Sequence, residues 1–163
     1  AQQVKKDIGY TPILIDNFAN GYAFQDGNII NNNLTDENGN SIEKFKSVSF
    51  DYEKDGDIVI FAQDKYNSQA ELQGSVAKTV GDTDIYYYSY TNKVVPADYE
   101  LTDADKAAKA NGDLVFSYGS AEVELNEIQS ATFVKDGMQY QLLQINGKLS
   151  GDELVKMAEE LVA

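Results

Sequence analysis

Three groups of residues in this chain have types and spacings that could carry chemistry. Asp51, Glu53 and Asp55, followed by Gly56, set carboxylate oxygens on alternate residues, as the opening of a calcium-binding helix-loop-helix does. The pattern ends wrongly for calcium: Ala62 stands where the bidentate Glu belongs, and the flanking residues alternate as strands do. A hairpin turn explains it more simply. The Asp36-Glu37-Asn38-Gly39-Asn40 cluster likewise reads as a solvated loop, since Asx-turns account for its composition. The third group, Tyr86, Tyr88 and Tyr90, would lie on one face of a strand, where phenol rings can stack on a sugar or peptide while their hydroxyls hydrogen-bond. Packing under a helix or at a sheet edge is the plainer reading of such tyrosines. They are nonetheless the residues singled out as a ligand or partner site, and no catalytic, metal or cofactor set accompanies them.

The chain has no Cys, His, Trp or Arg. Without His or Cys, Ser-His-Asp and Cys-His arrangements cannot be assembled, and the usual general base near neutral pH is missing. A glycosidase needs only two carboxylates, about 5 to 10 Å apart. Acids are plentiful, but no pair stands out and neither Trp nor Arg is present to line a sugar cleft, so the chain is read as no enzyme. Its 13 Lys against 27 Asp and Glu give a net charge of -14, which repels phosphate backbones and anionic lipid and excludes nucleic acid as a partner. No run approaches the roughly 20 apolar residues of a membrane helix. The chain opens at Ala1 without an initiator Met, which fits a cleaved signal peptide, a segment that follows a membrane span, or simple Met removal.

At 163 residues, with no repeat or linker, the chain is expected to form one domain over 1-163. Gln2 to Ile8 reads as a short helix closed by Gly9, and Pro12 to Asp16 as an extended lead-in. Tyr22 to Asn33 reads as a strand broken at Asp26-Gly27, followed by a loop from Thr35 to Ser41. Asp55-Gly56 joins Lys44–Lys54 to Asp57–Asp64 with Tyr52 opposite Val59 and Phe50 opposite Phe61. Ile58 and Ile60, apolar on the other face, suggest a central strand covered on both sides. Gly81-Asp82 turns Ser75–Val80 into Thr83–Thr91, Thr102 caps a helix over Asp103–Ala110, and Leu114 to Tyr118 returns to strand. Asp136-Gly137 makes the clearest hairpin, setting Lys135 opposite Met138, Phe133 opposite Tyr140 and Ala131 opposite Leu142. Ser150 and Glu153 then form a capping box, with Leu149 and Leu154 as a hydrophobic staple. The helix that follows turns Leu154, Met157, Ala158, Leu161 and Val162 to the core, and Asp152, Lys156, Glu159 and Glu160 to water. The order predicts an α+β fold: a twisted, mostly antiparallel sheet built from hairpins, a short inserted helix and a C-terminal helix packed on it, with alternating βαβ units absent.

The segments Pro96-Ala97-Asp98-Tyr99-Glu100-Leu101-Thr102, Ser117-Tyr118-Gly119-Ser120, Asp136-Gly137-Met138-Gln139-Tyr140 and Leu149 to Leu161, with Asn20-Gly21-Tyr22, together resemble an uncharacterised extracytoplasmic domain family of Gram-positive bacteria. The resemblance covers nearly the whole chain. It implies a setting at the cell surface, behind a membrane helix and sometimes an anti-sigma-factor-like cytoplasmic segment, and it marks no active site.

The first functional expectation is a non-catalytic sensory or binding domain of a membrane-anchored regulatory protein, monomeric, meeting an unknown protein or small ligand at the cell envelope through an apolar patch or open sheet edge. The alternatives are two. A secreted or lipoprotein-type carrier would hold an apolar ligand in a cavity lined by Val48, Phe50, Tyr52, Val59 and Phe61. A carbohydrate-active enzyme would need two convergent carboxylates, one with a raised pKa.

Overall fold

Turn chemistry builds the sheet from local pieces. Asp55-Gly56 has φ of 51° and 78°, and Asp136-Gly137 has 53° and 75°, the left-handed pair that a type I′ hairpin turn requires. Gly81, at φ 63°, supplies the positive φ of the third tight turn. The computed structural model describes residues 2–163, with side chains from Lys5 onward. Its elements are α1 (Gln2–Ile8), β1 (Ala23–Thr35), β2 (Ser41–Lys54), β3 (Asp57–Lys65), β4 (Ser75–Val80), β5 (Thr83–Val95), α2 (Asp103–Ala110), β6 (Leu114–Tyr118), β7 (Glu124–Lys135), β8 (Met138–Ile145) and α3 (Gly151–Val162).

The strands form one sheet in the order β1-β2-β3-β8-β7-β5-β4, with β6 also beside β5. All pairs are antiparallel except β5 with β6. The turns set the registers anticipated from sequence: Tyr52 faces Val59, Phe50 faces Phe61, Phe133 faces Tyr140 and Ala131 faces Leu142. Because side chains alternate with a period of two, these pairs share one face. There α3 contributes Leu154, Met157, Ala158, Leu161 and Val162, joined by Phe18 and Tyr22 from the lead-in. Ser150 accepts from the Glu153 N–H while the Glu153 carboxylate takes the Ser150 N–H, so the capping box forms. Val48, Phe50, Tyr52, Val59 and Phe61 are all at or below 2% exposure and belong to the same solid core cluster as Phe18 and the apolar side of α3, so they do not line a carrier's cavity.

Five expectations need correction. Ile58 is 47% exposed and Ile60 half-buried, so the second face of β3 is open; α3 spans only the face of Phe50 and Phe61. The β1 strand is not broken at Asp26-Gly27 but carries a register shift between Phe24 and Asp26. Gly27 keeps the strand going and makes room for a neighbour, since a Cβ there would lie 2.8 Å from the Phe50 ring. The β2 strand starts at Ser41 instead of Lys44, and β5 continues to Val95 instead of Thr91. That extension pairs in parallel with β6, Thr91 beside Leu114, so β5-α2-β6 is one βαβ unit in a fold expected to have none.

Candidate functional site

The open face of the sheet gathers the exposed apolar residues that the core does not use. Register places Tyr88 beside Ser130, Ser130 beside Leu143, Leu143 beside Ile60 and Ile60 beside Asp51, a row across five strands. The next row runs from Tyr90 through Ile128 to Ile145, and Ile58, two residues from Ile60, stands on the same face. Ile58 and Ile145 are 47% and 48% exposed, Val115 of β6 is 43% exposed, and Ile60, Leu143, Tyr88 and Tyr90 are half-buried. An open depression of about 370 Å³ is lined by Gln73, Tyr88, Tyr90, Val115, Ser130, Gln141 and Leu143.

Tyr86, Tyr88 and Tyr90 share this face, as the period of the strand requires, but their surroundings differ. The rings of Tyr88 and Tyr90 stack with centroids 5.1 Å apart, and the Tyr88 hydroxyl donates to the Gly112 carbonyl at 2.9 Å, which fixes the pair against the loop after α2. Tyr86 lies one row away, between Thr132 and Val76, outside the depression. Tyr87 points the other way and donates to Gln129 at 3.0 Å. Its ring lies against the start of α3, where a Cβ on Gly151 would come within 2.7 Å of it.

The acidic groups suggested by sequence do not converge on a metal. Asp51 and Glu53 sit on strand β2 opposite Ile60 and Ile58, while Asp55 is in the turn. Among the described residues no group of three or more acidic, His or Cys side chains is placed to hold an ion. Asp36 instead closes its own loop, accepting from the Asn38 and Asn40 N–H groups at 2.9 and 2.8 Å. Those bonds and one from the Asn40 side chain hold its carboxyl below the usual range, the Asn40 side chain having the largest effect. Burial lifts Asp64 above the usual range, opposed by the Lys65 N–H, and its cross-strand neighbour is the neutral Gln139.

Two polar networks went unnoticed in the sequence. In the first, Asp57 is 9% exposed, and its Oδ2 accepts from the Tyr22 hydroxyl, from Gln144 Nε2 at 2.8 Å and from the Lys148 N–H at 3.1 Å. Gln144, 1% exposed, also accepts from Gln129 Nε2 at 2.9 Å. Burial, reinforced by Asp57, pushes the Tyr22 hydroxyl up to about 12. With three donors on one Asp57 oxygen, the network works as a clasp joining the lead-in, β3 and the loop before α3. In the second, Lys93 Nζ meets Asp105 at 2.8 Å and the Tyr99 hydroxyl at 2.8 Å, and Tyr99 donates to Asp105. Lys93, the Thr102 N–H and Tyr99 together hold the Asp105 carboxyl far below the usual range, which anchors α2 beside β5. The signal was parity: Asp57 and Gln144 occupy positions where alternation calls for apolar side chains.

No protein-family model, curated protein or solved structure matches the chain.

Proposed function

We propose that this chain is a non-catalytic binding domain of the extracytoplasmic part of a membrane-anchored regulatory protein, and that it meets its partner through the open face of the sheet. The observation that carries the reading is the apolar ground formed by Ile58, Ile60, Leu143, Ile145, Tyr88, Tyr90 and Val115 on an uncovered face. Antiparallel sheets with one solvated face normally carry polar residues there, and apolar surface of this kind marks contact sites. Asp51 and Glu53 border the patch on β2 in a chain of net charge -14, which favours a partner surface with an apolar centre and a cationic margin. The extracytoplasmic setting rests on the resemblance of the Asn20–Tyr22, Pro96–Thr102, Ser117–Ser120, Asp136–Tyr140 and Leu149–Leu161 segments alone. The carrier and carbohydrate-enzyme alternatives have no comparable observation in their favour.

The test is photo-crosslinking in cells that make the protein. A photoreactive phenylalanine analogue at Ile145 should give a discrete adduct that disappears when Ile58→Lys is added, while the same analogue at Lys156, on the exposed side of α3, gives none. Equal adducts from both positions, or none from Ile145, would refute the proposed face.

A further inference from the structure

The two edges of the sheet are protected very unequally. On one side β4 has six residues, a register shift between Val76 and Lys78, and Lys78 itself, while β6 has five residues. Shortness, bulges and lysines are the usual devices that stop an edge from pairing with another chain. On the other side β1 runs for 13 residues. Its first residues are guarded: Phe24 N–H bonds the Asp16 carbonyl at 2.9 Å, Asn17 bridges Ala23, and a register shift and Asp26 follow. From Gly27 to Leu34 the strand has no charge, no Pro and no register shift; the next shift falls between Leu34 and Thr35, where Ile42 of β2 is the extra residue, and among the described residues no strand lies along the outer side of β1.

The same residues stand on a structure that wants support. Pairing of β2 with β3 begins at Val48, so beyond Ile29 the β1 strand and its partner Ser41–Ser47 form a two-stranded arm. Such a ribbon is marginal in water. Here it exposes Ile30 at 47%, Leu34 at 51% and Ile42 at 64%. The β2 side of the arm carries Glu43, Lys44 and Lys46, and Glu43 pairs with Lys65 at 2.5 Å. Only the β1 side is neutral.

We propose that the chain associates with a second copy of itself through this edge, Ile29–Thr35 of each running antiparallel about a two-fold axis at Asn32. In that register Ile30 faces Leu34 of the other copy on one side of the sheet and Ile29 faces Thr35 on the other. Asn32 faces itself and Asn31 faces Asn33. Ile30 with Leu34 and the Asn pairs match in character, Ile29 with Thr35 sets two β-branched side chains together, and no pair sets like charges opposite, although each chain carries -14 overall. The symmetry is isologous and closed, and two arms become one four-stranded sheet. A monomer, as expected from sequence, would leave the edge unused.

Sedimentation equilibrium over about 10 μM to 1 mM, the range in which a small interface associates, tests the proposal. The apparent mass should climb from 18.0 kDa toward twice that value. Ile30→Lys, at an exposed position, should keep its far-UV circular dichroism and weaken association at least about tenfold. Because the chain has no cysteine, Asn32→Cys should form a disulfide dimer under mild oxidation while Asn28→Cys does not. A wild type that stays monomeric throughout, as it would if the edge takes a strand from a different protein, overturns the proposal. So does an Ile30→Lys protein that associates as well as wild type, or equal cross-linking at positions 28 and 32.

Discussion

Replacing Asp57 with Ala should be among the most damaging single changes to this fold. The carboxylate holds three donors with one oxygen: the Tyr22 hydroxyl, Gln144 Nε2 and the Lys148 N–H. Tyr22 is 3% exposed and Gln144 1%, so two of these donors lose their acceptor while buried, whereas the N–H of exposed Lys148 can be hydrated. A buried donor left unsatisfied costs about 1–3 kcal/mol, so the pair costs about 2–6, reduced because a buried charge is no longer desolvated. The expected loss is about 2–4 kcal/mol. With no Trp in the chain, urea unfolding followed by far-UV circular dichroism is the suitable assay. Tyr22→Phe alone should cost about 1 kcal/mol, but once Asp57 is Ala it removes an orphaned hydroxyl and should recover about 1–3 kcal/mol, giving a coupling of about 2–4 kcal/mol. A loss under about 0.5 kcal/mol for Asp57→Ala, the range of ordinary surface changes, or strict additivity with Tyr22→Phe would refute the clasp.

The same clasp predicts an unusual glycine. A Cβ at Gly147 would lie 1.9 Å from Gln144 Cδ, and Gln144 is locked by its bonds to Asp57 and Gln129, so Gly147→Ala should cost about 1–3 kcal/mol in the same assay. In a Gln144→Ala background that cost should largely vanish; its persistence would mean the clash is not the cause. The Asp105 anchor predicts an acid limb. Its carboxyl is depressed in the folded state, so it contributes stability above the ordinary value of 3.8, and that contribution is lost as pH falls below it. Urea midpoints of Asp105→Asn should therefore fall less steeply than those of wild type below about pH 4, and parallel slopes would count against the anchor.

What could be read from the sequence was what short-range geometry decides. The Asp55-Gly56 and Asp136-Gly137 turns have only one comfortable backbone, and that backbone dictates register for the strands on either side. Ser150 with Glu153 capped α3, and Thr102 capped α2, for equally local reasons. Long-range pairing left no such trace. Nothing near Thr91 announces that Leu114 will lie beside it in parallel, so local signals end β5 at Thr91 and give no sign of the βαβ unit. Alternation also gives two faces without saying which one receives the helices, so apolar Ile58 and Ile60 read as doubly covered, whereas Ile58 is exposed and Ile60 half-buried. The tyrosine strip was legible as a strip, since parity alone puts Tyr86, Tyr88 and Tyr90 on one face. Its division was not, because the depression around Tyr88 and Tyr90 is completed by Val115, Ser130 and Leu143 from three other strands.

The open face has an internal contrast that packing does not explain. One row across it reads Ser49, Ala62, Gln141, Thr132 and Tyr86, the mostly polar composition that solvation favours. The neighbouring rows, on the same face of the same strands, contain Ile60, Leu143 and Tyr88, then Ile145, Ile128 and Tyr90. Propensity for strand does not require the difference, since Thr and Tyr would serve equally at those positions. Nor does the core, which closes on the opposite face around Phe61, Leu142 and Leu154. Ile58 and Ile145, about half exposed, bring little burial energy to the isolated chain and raise its tendency to associate. The proposed partner contact would account for apolar residues at positions such as Ile58 and Ile145, which the core does not require. That contrast between adjacent rows, more than the total exposed apolar area, argues for the Tyr88–Leu143–Ile58 side of the sheet as the surface a partner covers.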